Sequence, residues 1–169
     1  LVRHFADPRI GAVSGELMID PGDSTIGEGL GTYWQYEKWL RRHEAEVGST
    51  IGVTGAIYAM RRSLWQPLPP ETILDDVLGP IRVVLGGHLV TFDNRARAYD
   101  AAPPDAAQEL RRKRRTLAGN FQLLAQEPRL LVPFVNPIWI QFMSHKLGRL
   151  FVPYALIAIL VTSIALASE

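Results

Sequence analysis

The chain has no cysteine in its 169 residues. Disulfides and thiolate metal sites are therefore excluded, which suits a reducing compartment. Net charge is small, at +1, so no global pull toward nucleic acid exists and only local clusters matter. The four histidines, His4, His43, His88 and His145, lie far apart without metal-ligand spacing and read as structural or surface residues. There is no glycine-rich phosphate loop of the strand–GxGxxG or GKS/T kind. No Ser-His-Asp set can be argued from spacing, and no internal repeat or low-complexity tract is present. There is no initiating Met and no signal peptide, and the chain stops just past an apolar run, so it reads as a fragment of a longer protein.

What is present fits one domain, or part of one plus a tail. Hydrophobic residues make up 47%, enough to bury a core. Val2 to Pro8 reads as a helix end leaving through the breaker pair Asp7-Pro8. Residues 10–19 alternate as a strand does, and Asp20-Pro21-Gly22-Asp23 then turns the chain. The spacing of Leu30, Tyr33, Trp34 and Leu40 predicts a helix over 30–47 with Gly48 as its C-cap. Tyr36 and Trp39 widen its apolar face, and Glu37 can pair with Arg41 on the wetter side. Aromatics this dense are core material or, alternatively, a stacking platform for a sugar ring. Gly52-Val53-Thr54-Gly55-Ala56 leads into a strand at 57–60, and its small residues would let another molecule approach the backbone. Arg61 to Trp65 starts a short helix that Pro67-Leu68-Pro69-Pro70 ends.

The stretch Leu74-Asp75-Asp76-Val77 is the centre of the reading. Either aspartate can cap the helix that runs to Gly86-Gly87, and Pro80 is tolerable only near that helix's start. A carboxylate there is also a usable proton acceptor once a substrate hydroxyl is held against it. Two short strands follow, at 89–92 and 96–99 around Asp93-Asn94. After the loop Ala102-Pro103-Pro104, Asp105 and Gln108 form a capping-box-like start to a helix reaching about Glu127, where Pro128 stops it. That helix carries Leu110, Leu117, Phe121 and Leu124, and the basic run Arg111-Arg112-Lys113-Arg114-Arg115. Arg111 and Arg115 share a face, as do Arg112 and Arg115, and arginine's fork matches phosphate oxygens in pairs. The same run could instead be a solvated face or a contact with anionic lipid or nucleic acid.

From Leu130 the composition changes. Residues 138–149 separate apolar from polar at helical spacing, as a helix lying in a membrane interface does. Leu150 to Ala167 carries no charge and spans about 27 Å, just enough for a hydrocarbon core. Lys146 and Arg149 precede it, so the positive-inside rule puts residues 1–149 in the cytoplasm.

Together these pieces resemble the second half of a membrane-bound, processive-type family-two glycosyltransferase, the group of cellulose, chitin and hyaluronan synthases. Gly11-Ala12-Val13-Ser14-Gly15 looks like the strand after that family's Asp-x-Asp. Val53-Thr54-Gly55-Ala56 with Tyr58-Ala59-Met60-Arg61-Arg62 is similar to its acceptor-side segment. Leu74-Asp75-Asp76 sits where the family has Thr-Glu-Asp, and Arg112-Lys113-Arg114-Arg115-Thr116 where it has Gln-x-x-Arg-Trp. Ser144-His145-Lys146-Leu147-Gly148-Arg149 resembles its approach to the membrane. The chain departs from the family at Asp75 for Glu, Arg112 for Gln and Thr116 for Trp. That tryptophan helps form the acceptor platform, so acceptor type and processivity do not carry over.

The resemblance implies an α/β fold. Residues 1–128 would be the C-terminal part of a GT-A-like nucleotide-diphospho-sugar transferase domain. Residues 129–149 would be an amphipathic interface segment, and 150–167 a transmembrane helix. It implies Asp76 as general base with Asp75 supporting, Arg115 and Arg112 on the diphosphate, and Thr116, Thr54, Gly55 and Ala56 on the acceptor side. No metal ligand falls in this chain; Mg²⁺ or Mn²⁺ would be held by the missing N-terminal half. The implied partners are a nucleoside-diphosphate sugar of the UDP-sugar kind, a glycan or lipid acceptor and membrane lipid, with no nucleic acid. The implied place is the inner, cytoplasmic membrane, in polysaccharide synthesis. Two alternatives stand beside this: a membrane-anchored module binding anionic lipid or nucleic acid, and an inactive structural relative.

Overall fold

The computed structural model describes the backbone of residues 1–20, 25–101 and 105–167, and the side chains of these except 20–34. The turn expected at 20–23 and the loop at 102–104 lie outside the described residues. Strand β1 (Ile10–Asp20) runs through the middle of a three-stranded sheet. The short β2 (Tyr58–Met60) pairs with it antiparallel, Val13 opposite Ala59, and β3 (Leu89–Ala101) pairs parallel on its other edge. Ala12, Val13 and Ser14 are fully buried, as a central strand covered on both faces requires.

β3 corrects the expectation of two short strands. Ser14 faces Phe92 while Glu16 faces Arg97, so the ladder skips residues of β3 at Asp93-Asn94 and then resumes. Those residues bulge rather than turn the chain. Asp93 points inward there, 6% exposed, against His4 Nε2 at 2.9 Å and Arg3, which donates at 3.4 Å.

Helix α1 (Thr25–Val47) starts earlier than expected and ends before Gly48, whose N–H donates to Glu44 O at 3.0 Å. Tyr36 and Trp39, taken for part of its apolar face, are about half exposed and stack on one another at 6.2 Å between ring centres; Trp39 stacks in turn on His43 at 4.2 Å. Among its described side chains the buried ones are acidic, Glu37 and Glu44 at 7% and 6% exposure, while the side chains of Leu30, Tyr33 and Trp34 lie outside those described. α1 is thus seated through ion pairs, with buried Glu16 of β1 accepting from Arg42 at 3.1 Å as a further tie.

Helix α2 (Asp75–Leu85) buries Val77, Leu78, Ile81 and Val84, which recur at helical spacing. Gly86 and Gly87, the latter at φ +84, close it. Helix α3 (Ala106–Gln126) begins as expected, with the Asp105 carboxylate accepting from Gln108 N–H at 2.7 Å. Leu110, Leu117 and Phe121 are 43–51% exposed, and the buried stripe is Gly119 and Leu123. Glycine decides that orientation, because it leaves room for Leu74 and Ile73: a Cβ at Gly119 would come within 2.6 Å and 2.9 Å of them. Gln122 of α3 holds the same segment, accepting from Ile73 N–H at 2.8 Å and donating to Glu71 O at 3.0 Å.

Residues 129–149 do not form one separate helix. A 3-10 turn (Pro128–Leu131) and an irregular stretch lead to a helix from Trp139 to Ala167, so the polar turns and the apolar stretch share an axis. A π turn (Phe142–Leu147) interrupts it. Ile138, Phe142 and Leu150 seat this C-terminal helix in the core with Leu130, Leu123 and the residues of α2. Beyond Leu150 it is exposed, and it is long and apolar enough to cross a membrane.

Gly119→Val should force Leu74 and Ile73 off α3 and destabilise the fold by about 1–3 kcal/mol, the usual range for overpacking. Thermal unfolding in detergent would register this as a lower midpoint.

Candidate active site

Asp75 and Asp76 are the first two residues of α2, and Leu74 holds the cap position with no side-chain cap. The capping role open to them in the sequence is therefore not used, which leaves the Asp76 carboxyl available. Pro80 lies four residues after Asp76. Having no N–H, it cannot donate to the Asp76 carbonyl as a helix requires. The Val53 N–H takes that place, at 3.0 Å. This single bond draws the Gly52–Ala56 segment across the start of α2. A Cβ on Gly52 would stand 3.2 Å from the same carbonyl, and one on Gly55 would stand 3.6 Å from Asp76 Oδ2. The bare glycines keep the carboxylate's surroundings open.

The two motifs expected to act together do meet. A cleft of about 860 Å³ is lined by Asp75 and Asp76 of α2, Thr54, Gly55 and Ala56 of the loop, and Arg112, Arg115 and Thr116 of α3. The eight site residues that the resemblance implies thus border one hollow, while Arg111 and Arg114 of the basic run do not line it. Thr54 is buried, with its N–H donating to Ser14 Oγ at 3.0 Å, while Gly55 and Ala56 are exposed to the cleft. Arg115 donates to the Ile73 carbonyl at 3.4 Å, two residues ahead of Asp75, which ties the cationic wall to the acidic one. Lys113 also lines the cleft.

Sequence reading missed the third wall. The C-terminal helix contributes His145, Lys146 and Arg149, and α1 contributes Glu37, Arg41 and Glu44. His145 Nδ1 lies 2.9 Å from Glu44 Oε1 and its Nε2 lies 3.7 Å from Glu37 Oε2; Arg149 also pairs with Glu37. Glu37, expected to pair along its own helix with Arg41, thus reaches across more than a hundred residues. The available signal was the spacing of Lys146 midway between Phe142 and Leu150, which puts it on the helix's inward side. Asn120 was missed as well: its Oδ1 is buried, has no partner among the described residues, and belongs to a residue that lines the cleft.

Burial raises the Asp76 pKa above the ordinary carboxylate value; the Lys146 charge opposes this, Asp75 adds to it, and Arg41 opposes it. No three His, Asp or Glu side chains converge into a metal-binding group among the described residues. The carboxylates of the cleft therefore do not make up the donor set of the implied Mg²⁺ or Mn²⁺.

No protein-family model matches the chain, and no curated protein matches it in sequence. The solved structures supply the class: the chain has a glycosyltransferase-like α/β fold. One structure with this fold is the mannosyltransferase PcManGT from Pyrobaculum calidifontis, in complex with GDP-Man and Mn²⁺. It superposes at TM-score 0.54 over 99% of this chain with 20% identity. The chain spans about half of that structure's length, 50%.

A raised carboxyl pKa means that the fold favours the neutral form. Its stabilising effect is present below the unfolded-state pKa and is lost as pH rises through the folded-state value. Asp76→Asn should therefore raise the unfolding midpoint at about pH 7.5, and the gain should shrink at about pH 4. Paired thermal scans at the two pH values check this.

Proposed function

We propose that this chain is the acceptor-side part of an inverting, membrane-bound family-two glycosyltransferase that builds polysaccharide. One observation carries the reading: on a glycosyltransferase-like fold, Asp76, which does not hold the cap position of its helix, shares a cleft with Arg112 and Arg115. In this scheme an acceptor hydroxyl gives its proton to the Asp76 carboxylate. The freed oxygen bonds to the donor sugar's anomeric carbon from the face opposite the nucleoside diphosphate. The bond from that carbon to the diphosphate oxygen breaks, and one displacement inverts the centre. Arg115, with Arg112, meets the charge that grows on the leaving diphosphate, where fixed cations lower the barrier most. Thr54, Gly55, Ala56 and Thr116 border the acceptor, and Asp75 supports the base.

The donor in this reading is a nucleoside-diphosphate sugar of the UDP-sugar kind, and the acceptor a glycan or lipid. Residues 150–167 cross the cytoplasmic membrane, with Lys146 and Arg149 holding the catalytic part on the cytoplasmic side. The divalent cation that assists such transfers would be held by residues outside this chain.

In the full-length protein in membranes, Asp76→Asn should abolish sugar transfer while donor binding persists. Near-normal turnover would overturn the assignment. Arg115→Ala should weaken inhibition by nucleoside diphosphate about tenfold or more, as expected for a lost charge-assisted contact of ~1.5–3 kcal/mol. Inhibition constants of the two proteins, measured side by side, test it. Salt-dependent binding to anionic vesicles, indifferent to both substitutions and without transfer, would favour a lipid-docking module on the exposed arginines of α3 instead.

A further inference from the structure

Phe142, Lys146 and Leu150 follow one another at intervals of four residues along the C-terminal helix. The two apolar members are buried in the core, at 1% and 6% exposure. The lysine between them therefore lies on the inward side, and it lines the same cleft as Asp76. A π turn covers this part of the helix, an irregularity that occurs often at functional positions. The polar neighbours of Lys146 are already engaged: His145 and Arg149 pair with Glu44 and Glu37 of α1. Those ion pairs and the two apolar contacts fix the helix on both sides of Lys146.

The charges around Asp76 come from every wall. Asp75 lies beside it on α2, and Arg41 approaches from α1, where Glu37 and Glu44 are bound to the C-terminal helix. Arg112, Lys113, Arg115 and Glu109 face the cleft from α3, and Asp100 from β3. Among the charges acting on the Asp76 carboxyl, Lys146 is the foremost, ahead of Asp75 and Arg41.

We propose that Lys146 is a positioning residue for the Asp76 carboxylate, so that the C-terminal helix completes the catalytic cleft with a wall of its own. The proposal rests on the reading of Asp76 as the proton acceptor. Burial favours the protonated form of that carboxyl, and a protonated carboxyl accepts no proton. A cation that the seated helix brings into the same cleft favours the ionised form. Transfer then depends on the C-terminal helix lying in its place.

The test uses the full-length protein in membranes, with pH–rate profiles for wild type, Lys146→Met, Lys146→Gln, Lys146→Arg and Asp76→Asn. Nucleoside-diphosphate binding serves as the check on folding. Removing the cation should move the acid limb of kcat/KM to higher pH. Lys146→Met and Lys146→Gln should lose about tenfold at about pH 6 and stay within about twofold of wild type at about pH 8.5. Lys146→Arg should restore the limb. An unmoved acid limb in variants that bind nucleoside diphosphate would overturn the proposal, as would an equal loss at every pH that arginine does not rescue. Failure of both neutral variants to bind nucleoside diphosphate, with Lys146→Arg equally impaired, would mark Lys146 as purely structural and overturn it too. Turnover by Asp76→Asn would instead overturn the proton-acceptor reading beneath it, so the two failures are told apart.

Discussion

The site depends on one hydrogen bond that a proline makes necessary. With Pro80 four residues on, the Asp76 carbonyl has lost its helical donor, and an unpaired carbonyl in so enclosed a place would be costly. Val53 N–H supplies the bond at 3.0 Å and comes from a segment whose glycines allow the two backbones to approach. The proline that weakens the helix internally thus specifies what packs across its start. The Gly52–Ala56 loop and the acidic pair are held in register by the backbone, whatever their side chains do.

Around that join, three elements contribute unlike surfaces to one hollow. α3 brings arginines and is drawn close by a glycine that receives Leu74. The start of α2 brings carboxylates. The C-terminal helix brings a lysine, and it is held by buried glutamates of α1 rather than by apolar contact alone. Buried ion pairs of this kind contribute more to unique seating than to stability, since desolvation offsets much of their attraction. Here the seating joins the long apolar helix to the cleft that the Asp76 carboxyl borders.

The sequence was legible where local physics decides. Alternation marked β1, the Asp105 cap and Pro128 bounded α3, and Gly86-Gly87 ended α2, because each signal acts within a few residues. It misled where partners are distant. Asp93-Asn94 has the composition of a turn, yet His4 and Arg3 draw Asp93 inward and the strand bulges past it. Tyr36 and Trp39 look like core, yet the buried ones among the described side chains of α1 are Glu37 and Glu44, whose partners lie about a hundred residues away. Leu110, Leu117 and Phe121 mark a helix but not the face it buries, which Gly119 selects.

By itself the sequence determined the elements, the candidate acid and its arginines, and an uncharged tail long enough for a bilayer. Periodicity, capping and hydropathy are properties of neighbouring residues. Only the tertiary structure decided that Asp76 caps nothing, that Arg115 and Asp76 border the same hollow, and that Lys146 closes it. Those facts depend on which surfaces meet once the chain has folded back on itself, and electrostatic influence between residues seventy apart in the chain acts only across that folded distance.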